Sequence, residues 1–190
     1  MSRVAHLVSR FFTSLFPRRL DEQTVEWVHG VLAPGELHLW EGLDRADRAE
    51  AIGVARRFEA DLSATGLTAT GREVDPAWVA AALLHDVGKQ ASSYGPVGRA
   101  LATVVVAWAG NDRARAWAAG AGGVRARIGR YAAHDTLGAE LLEVAGSSPA
   151  AREWADAHHR PDRWGGTGIP LDVCRALARA DGEPADARPR

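Results

Sequence analysis

Apolar residues recur along this chain at the three-to-four-residue spacing of amphipathic helices. In the first segment they stand at positions 4, 7, 8, 11, 12 and 15. This spacing predicts a helix that Pro17 ends. A second helix is predicted from about Glu22 to Leu32, and a short third one follows Pro34. Asp44 is a suitable N-cap for a longer helix over residues 45–64.

The central and C-terminal parts have the same helical character. Asp75 and Pro76 predict the start of a helix, because aspartate suits the N-cap and proline the first turn. Residues 97–108 are apolar enough to predict a buried helix, and no second β-branched run exists to pair with Val104–Val106 as a strand. Further helices are predicted around His134, over residues 150–159 and over residues 171–181. The fold class expected is all-α.

The composition is that of a soluble globular domain, with 46% hydrophobic and 25% charged residues in 190 positions. A net charge of −1 argues against a general nucleic-acid binder, so a small substrate is expected. The one cysteine, Cys174, excludes an internal disulfide framework and fits a reducing cytoplasm. No apolar stretch approaches the ~20 residues that span a bilayer, and residues 1–19 lack the apolar core of a signal peptide. We therefore expect a cytoplasmic protein.

The first 19 residues carry four arginines and no acidic residue. A basic amphipathic helix of this kind lies on an anionic membrane surface in some proteins, and more often it packs against its own domain or a partner. Packing is therefore the expectation for residues 1–19, with peripheral membrane contact as the alternative.

The candidate chemistry centres on the pentapeptide His85-Asp86-Val87-Gly88-Lys89, which follows an apolar helical run. A buried His–Asp pair is costly to desolvate unless a metal or a hydrogen-bond partner compensates it. The pair could line a cavity in which the carboxylate spans two metal ions and the imidazole binds one of them. The structural alternative is a helix end with a core histidine and a capping aspartate. Of the 23 Lys and Arg residues, Lys89 is the only lysine, which favours a chemical role for its compact ammonium group.

This pentapeptide resembles the HDxGK signature of the HD-domain superfamily of metal-dependent phosphohydrolases, and further elements of that pattern follow in order. The resemblance implies a helical HD-domain bundle over residues 44–182, preceded by an N-terminal helical arm (1–43) and followed by a frayed tail (183–190). His134 opens a sequence similar to the H-x-x-x-G-A-x-L-L element of one branch of these proteins. Residues 164–170 partly resemble the G-x-G-Y-P element of the HD-GYP cyclic-dinucleotide phosphodiesterases.

The resemblance also implies a centre of one or two divalent ions, such as Mn²⁺, Fe²⁺ or Mg²⁺, that activates water for attack on phosphorus. The implied ligands are His85, Asp86, His134, His158, His159 and Asp181. Glu50 is a candidate seventh ligand, because it stands where these proteins usually place their first histidine; its alternative is a solvated glutamate on a helix face. Asp86 and Lys89 are the implied catalytic residues, and Lys89, Arg163 and Arg130 are candidates for binding the substrate.

The function expected is therefore the hydrolysis of a nucleotide or another small phosphoester. Hydrolysis of a cyclic dinucleotide is the nearest enzymatic alternative, since the Gly-Thr-Gly-Ile-Pro remnant favours a phosphodiester. A catalytically inert module that binds a nucleotide or a protein partner is the alternative from another class. Glu50 distinguishes enzyme from module, because the enzyme needs this carboxylate or a neighbour to complete its metal site.

Overall fold

The structure, a computed structural model, describes residues 20–64, 74–92, 94, 96–120 and 122–182, and these residues form helices joined by turns and short loops. These residues contain no β-strand, which confirms the predicted all-α fold class. The helix predicted before Pro17 and the tail predicted at 183–190 lie outside the described residues.

The α-helices are α1 (Glu22–Val31), α2 (Pro34–Glu41), α3 (Arg45–Ala64), α4 (Pro76–Leu84), α5 (Pro96–Ala109), α6 (Asn111–Ala116), α7 (Gly123–Ala132), α8 (His134–Val144), α9 (Pro149–Ala157) and α10 (Leu171–Asp181). Short 3₁₀ helices cover Val87–Ser92, Trp117–Ala119 and Pro161–Gly166. None of the helices in the described residues combines the length and the apolar character that crossing a bilayer requires.

Side-chain caps start several helices where the sequence predicts them. The Asp75 carboxylate accepts a hydrogen bond from the Ala77 backbone N–H at 2.9 Å, and Asp44 accepts one from the Asp47 N–H at 2.9 Å. Each cap satisfies a backbone donor that the first turn of a helix leaves without an intrahelical partner. The caps therefore determine where α3 and α4 begin.

Helix α4 lies at the centre of the fold. Its residues 79–84 are all buried, as expected for a helix that is apolar on every side. Helices α3 and α9 pack against α4, and α10 packs against α3. Val28 of α1 and Trp40 of α2 belong to the same hydrophobic core. The domain boundary predicted at residues 43 and 44 falls between α2 and α3 and stays a prediction.

Helix α5 is not buried, and this part of the prediction is wrong. The exposed fractions are 64% for Leu101, 66% for Val104 and 87% for Trp108, whereas Ala102 on the inner face is buried. Apolar content predicts burial only where space in the core remains, and α4 already fills the centre. Helix α5 instead lies at the edge, where it packs against α6 and α7.

A close backbone contact joins the 3₁₀ helix at residues 87–92 to α8. A Cβ atom added at Gly88 would lie 1.9 Å from the His134 carbonyl oxygen and 2.6 Å from the Gly138 backbone nitrogen. A residue with a side chain cannot occupy position 88 without moving one of the two elements. The glycine of the pentapeptide therefore allows His85 and Asp86 to approach His134.

Candidate metal centre

The six implied ligands at the helix ends lie together in one cluster. His85 and Asp86 directly follow α4, His134 begins α8, His158 and His159 directly follow α9, and Asp181 is the last residue of α10. The Asp86 carboxylate is at the middle of the cluster. Its Oδ1 atom is 3.3 Å from His134 Nε2 and 3.8 Å from His158 Nε2. His85 Nε2 lies 3.3 Å from Asp86 Oδ2 and 3.5 Å from Asp181 Oδ1.

Each of the three inner histidines has its Nδ1 atom against the backbone carbonyl three residues earlier. The distances are 2.9 Å from His85 to Ala82 O, 2.8 Å from His134 to Tyr131 O and 2.8 Å from His158 to Ala155 O. A carbonyl oxygen only accepts, so each Nδ1 carries the proton and donates it. Nε2 is therefore the ring nitrogen that each of these histidines directs at Asp86, as a metal-binding histidine directs its ligand nitrogen at the metal.

Four buried atoms at the middle of the cluster have no hydrogen-bond partner: Nε2 of His85, His134 and His158, and Oδ1 of Asp86. Nitrogen and carboxylate lone pairs that face each other within 4 Å need a proton or a cation between them. Donor atoms about 2.1 Å from one ion stand roughly 3.0–3.4 Å apart, close to the distances found here. His134, His158 and His159 also form a group whose ligand atoms all lie within 4.8 Å of one another, and this group could hold a metal ion.

The charges around Asp86 keep it ionised. Burial alone raises the pKa of the Asp86 carboxyl, but the Lys89 ammonium and His85 outweigh it and hold that pKa well below its usual range. The Lys89 Nζ atom donates a hydrogen bond to Asp86 Oδ2. Burial likewise opposes the charge on Lys89, yet Asp86 raises the pKa of Lys89 above its usual value. Burial is again outweighed at Asp181, where His85 lowers the pKa to about 2.

The histidines divide into two kinds. Burial lowers the pKa of His158 well below its usual value. His158 is therefore neutral at pH 7, the form that binds a metal. Burial opposes the charge on His85, but the Asp86 and Asp181 carboxylates raise its pKa well above the usual value. A cation between these groups would take the place of the His85 proton.

Glu50 lies on α3, on the Asp181 side of the cluster. Its Oε1 atom accepts a hydrogen bond from Arg57 Nη2 at 3.2 Å. Arg57 Nε donates to the carbonyl oxygen of Ala180, the residue before Asp181, at 2.7 Å. The Glu50 carboxylate thus interacts with a guanidinium group that also binds the end of α10. Its role as a seventh ligand stays a prediction.

The two arginines predicted to bind substrate have protein partners. Arg163 Nη1 pairs with Asp156 Oδ2 at 2.7 Å. Arg130 Nε donates to the Ala91 carbonyl oxygen at 3.0 Å, at the end of the 3₁₀ helix that carries Lys89. Arg130 thus helps to fix the segment that carries Lys89, and substrate binding by either arginine stays a prediction.

A cleft of about 260 Å³ opens beside His134 and His159. Its other lining residues are Thr103, Val106, Asn111, Asp112, Arg115, Tyr131, Ala132, Asp135 and Arg160. Sequence reasoning did not predict this cleft, because α5 and α6 carry no recognisable motif. Two signals could have pointed to it: Asp135 directly follows His134, and Arg160 directly follows His159.

Comparisons with protein-family models, curated proteins and solved structures found no match for this chain. In the described residues, the fold is all-helical and a candidate metal centre lies where four helix ends converge. The function that fits this centre is inferred from its donor atoms, their charges and the adjoining cleft.

Proposed function

We propose that this protein is a metal-dependent phosphohydrolase that acts on a nucleotide or another small phosphoester with one or two divalent ions. The observation that carries the proposal is the convergence of the four buried atoms without hydrogen-bond partners. The donor set is mixed, with imidazole nitrogens around a central carboxylate, and such a set suits Mn²⁺ or Fe²⁺ and tolerates Mg²⁺ less well.

Divalent ions at such a site lower the pKa of water to near neutrality and withdraw charge from a phosphoryl oxygen. The chain's own residues supply the remaining functions. The Lys89 ammonium, which donates a hydrogen bond to Asp86 Oδ2, would donate another to a non-bridging phosphate oxygen, where negative charge grows in the transition state. The overall reaction consumes one water: its hydroxyl ends on phosphorus, and its proton ends on the departing oxygen.

The open side of the centre decides where the substrate enters. His85 and His158 are buried, whereas His159 is exposed and borders the cleft. A phosphoester would therefore approach over His134 and His159 and meet Asp86 and Lys89 beyond them. The resemblance of the pentapeptide to the HDxGK signature supports the same reaction class from the sequence alone.

Metal analysis followed by a turnover assay tests the proposal. Protein purified without chelator should contain a divalent transition metal and, with added Mn²⁺, should hydrolyse p-nitrophenyl phosphate or bis(p-nitrophenyl) phosphate. Asp86→Ala should abolish turnover, because it removes the central carboxylate. His38→Ala is the matched control, since His38 is an exposed histidine of α2, and it should keep both the metal content and the activity.

A binding module without turnover is the second candidate, and the Glu50–Arg57 ion pair is the observation that favours it. A glutamate held by a guanidinium group is a weaker metal ligand than a free carboxylate. Near-zero metal content together with no turnover on either phosphoester would favour the module. Arg57→Gln separates the candidates further: metal affinity should rise if Glu50 is a ligand restrained by Arg57, and should stay constant if it is not.

A further inference from the structure

The cleft beside His134 and His159 is the space next to the metal centre that a substrate's remaining part would occupy. Its volume of about 260 Å³ is below the roughly 300–1,000 Å³ of pockets that enclose drug-sized ligands. A single ring fills such a space, and two linked nucleotides would extend beyond it into solvent. The size of the cleft therefore points to a small leaving group.

The arginines of the cleft are already paired with carboxylates. Arg115 Nη1 contacts both carboxylate oxygens of buried Asp135, at 2.7 and 2.9 Å. Arg160 Nη2 lies 2.6 Å from Asp156 Oδ1 and 3.5 Å from Asp135 Oδ2. Each arginine–carboxylate pair is formally neutral, so it attracts a further anion less strongly than an unpaired guanidinium group would.

The formal charges of the lining residues also cancel. Two arginines, Arg115 and Arg160, stand against two aspartates, Asp112 and Asp135. A second phosphate group on the substrate would carry about two further negative charges into a neutral space. The cleft therefore offers no compensation for a second phosphate.

What the cleft does offer is uncharged hydrogen-bonding groups beside an apolar wall. Thr103 Oγ1 and the Tyr131 hydroxyl form a hydrogen bond of 3.0 Å with each other, and both line the cleft. A hydroxyl group that takes part in one hydrogen bond can still take part in another, because it has one donor and two acceptor sites. The Asn111 side chain adds an amide, and Val106 contributes apolar surface. Hydroxyl and amide groups that can donate and accept recognise the hydroxyl groups of a ligand.

We propose that this cleft binds the leaving group of the substrate and selects an uncharged, hydroxyl-bearing ring over a group that carries a second phosphate. The substrate would then be a phosphate monoester of a sugar-like alcohol. This inference rests on the proposed phosphohydrolase function and narrows it. Thr103 and Tyr131 are the residues that determine the selectivity.

The test compares matched substrates in the presence of Mn²⁺. Fructose 6-phosphate and fructose 1,6-bisphosphate differ by one phosphate group, and kcat/KM should be at least ~10-fold higher for the monophosphate. Thr103→Val and Tyr131→Phe each remove one hydroxyl and keep the side-chain shape. Each should lower the ratio of kcat/KM for fructose 6-phosphate to that for p-nitrophenyl phosphate about 3- to 10-fold, the effect of one lost hydrogen bond.

Two further variants control the comparison. Val104→Thr changes an exposed residue of α5 that does not line the cleft, and it should leave the ratio unchanged. Asp112→Asn makes the formal charge of the lining residues positive by one, so it should raise activity on the bisphosphate relative to the monophosphate. Equal activity on both sugar phosphates, or a preference for the bisphosphate or for a cyclic dinucleotide, would overturn the inference.

Calorimetric binding of the two sugar phosphates, with and without Mn²⁺, separates this inference from the proposed function. In one outcome, the monophosphate binds more tightly than the bisphosphate, Thr103→Val weakens this binding, and no phosphoester is hydrolysed. This result would refute the hydrolase function and support the selectivity of the cleft. In the other outcome, p-nitrophenyl phosphate is hydrolysed, but neither binding nor catalysis distinguishes the two sugar phosphates. This result would support the hydrolase function and refute the selectivity of the cleft.

Discussion

Replacing Gly88 by alanine should damage the fold and the metal centre together. The added Cβ atom would lie 1.9 Å from the His134 carbonyl oxygen, and an ordinary contact begins at 3.4 Å. The 3₁₀ helix and α8 would have to separate by about 1.5 Å, because both neighbouring atoms belong to the backbone and cannot rotate away. The distance between His134 Nε2 and Asp86 Oδ1 is only 3.3 Å, so a displacement of about 1.5 Å would separate these two ligand atoms substantially.

Overpacking of this kind costs about 1–3 kcal/mol, which corresponds to a fall in Tm of roughly 2–12 °C for a chain of this length. Disturbing the groups that orient metal ligands lowers metal affinity by about 10- to 100-fold. We therefore expect Gly88→Ala to lower both the Tm of the metal-free protein and its affinity for Mn²⁺. Thermal unfolding and titration calorimetry measure the two effects separately.

Gly30→Ala is the matched control, because a Cβ atom at position 30 of α1 meets nothing within 4 Å. Alanine is also the better helix former, so the Tm should stay the same or rise slightly. A Gly88→Ala protein with the wild-type Tm and Mn²⁺ affinity would refute the close packing of the 3₁₀ helix on α8. A lower Tm with an unchanged affinity for Mn²⁺ would support the close packing and refute its role in positioning His134.

Three further predictions concern the centre itself. Mn²⁺ should raise the Tm of the wild-type protein, as any ligand of the folded state does; His158→Ala should remove most of this rise in thermal scans with and without chelator, and His38→Ala should keep it. Lys89→Arg should preserve the circular dichroism spectrum and lower kcat by ~10- to 100-fold, because the charge survives while its compact geometry is lost; unchanged turnover would contradict a role for the ammonium group. His85 outweighs burial and lowers the pKa of Asp181 from 3.8 to about 2, so this carboxylate stabilises the metal-free protein above pH 3.8, and the contribution is lost as the pH falls toward 2. Between pH 2 and 3.8, the free energy of unfolding measured with urea should therefore depend less on pH in Asp181→Asn than in the wild type. An equal pH dependence in the two proteins would contradict the pairing of Asp181 with His85.

The helices were predictable because their signals are local. The N-cap of α4 at Asp75 and the length of α3 follow from residues within one or two turns of each other. The exposure of Leu101 and Trp108 was not predictable in this way, since it depends on which other helices fill the core. A single sequence contains the apolar content of α5 but not the competition for space at the centre of the fold.

The candidate site shows the same division. The pentapeptide and the later histidines could be found in the sequence, because metal-binding residue types stand out at helix ends. The pairing of Arg115 with Asp135 could not, since the two residues come from different helices: Arg115 lies outside every motif, and Asp135 occupies a variable position of the element that His134 opens. The cleft likewise depends on how α5, α6 and α7 are arranged, which local patterns do not determine.

The candidate metal centre and the ends of the helices are connected by one repeated hydrogen bond. His85 and His158 are the C-caps of α4 and α9, and the last carbonyls of a helix lack intrahelical partners. Each histidine donates its Nδ1 proton to such a carbonyl, so one bond both satisfies the helix end and aims Nε2 at Asp86. Asp181 ends α10 beside them. Three of the four converging ends are C-termini, each with roughly half a negative charge, and the fourth is the start of α8, with roughly half a positive charge. The partial charges of the helix ends therefore favour a cation at this point, in addition to the charges of the carboxylates.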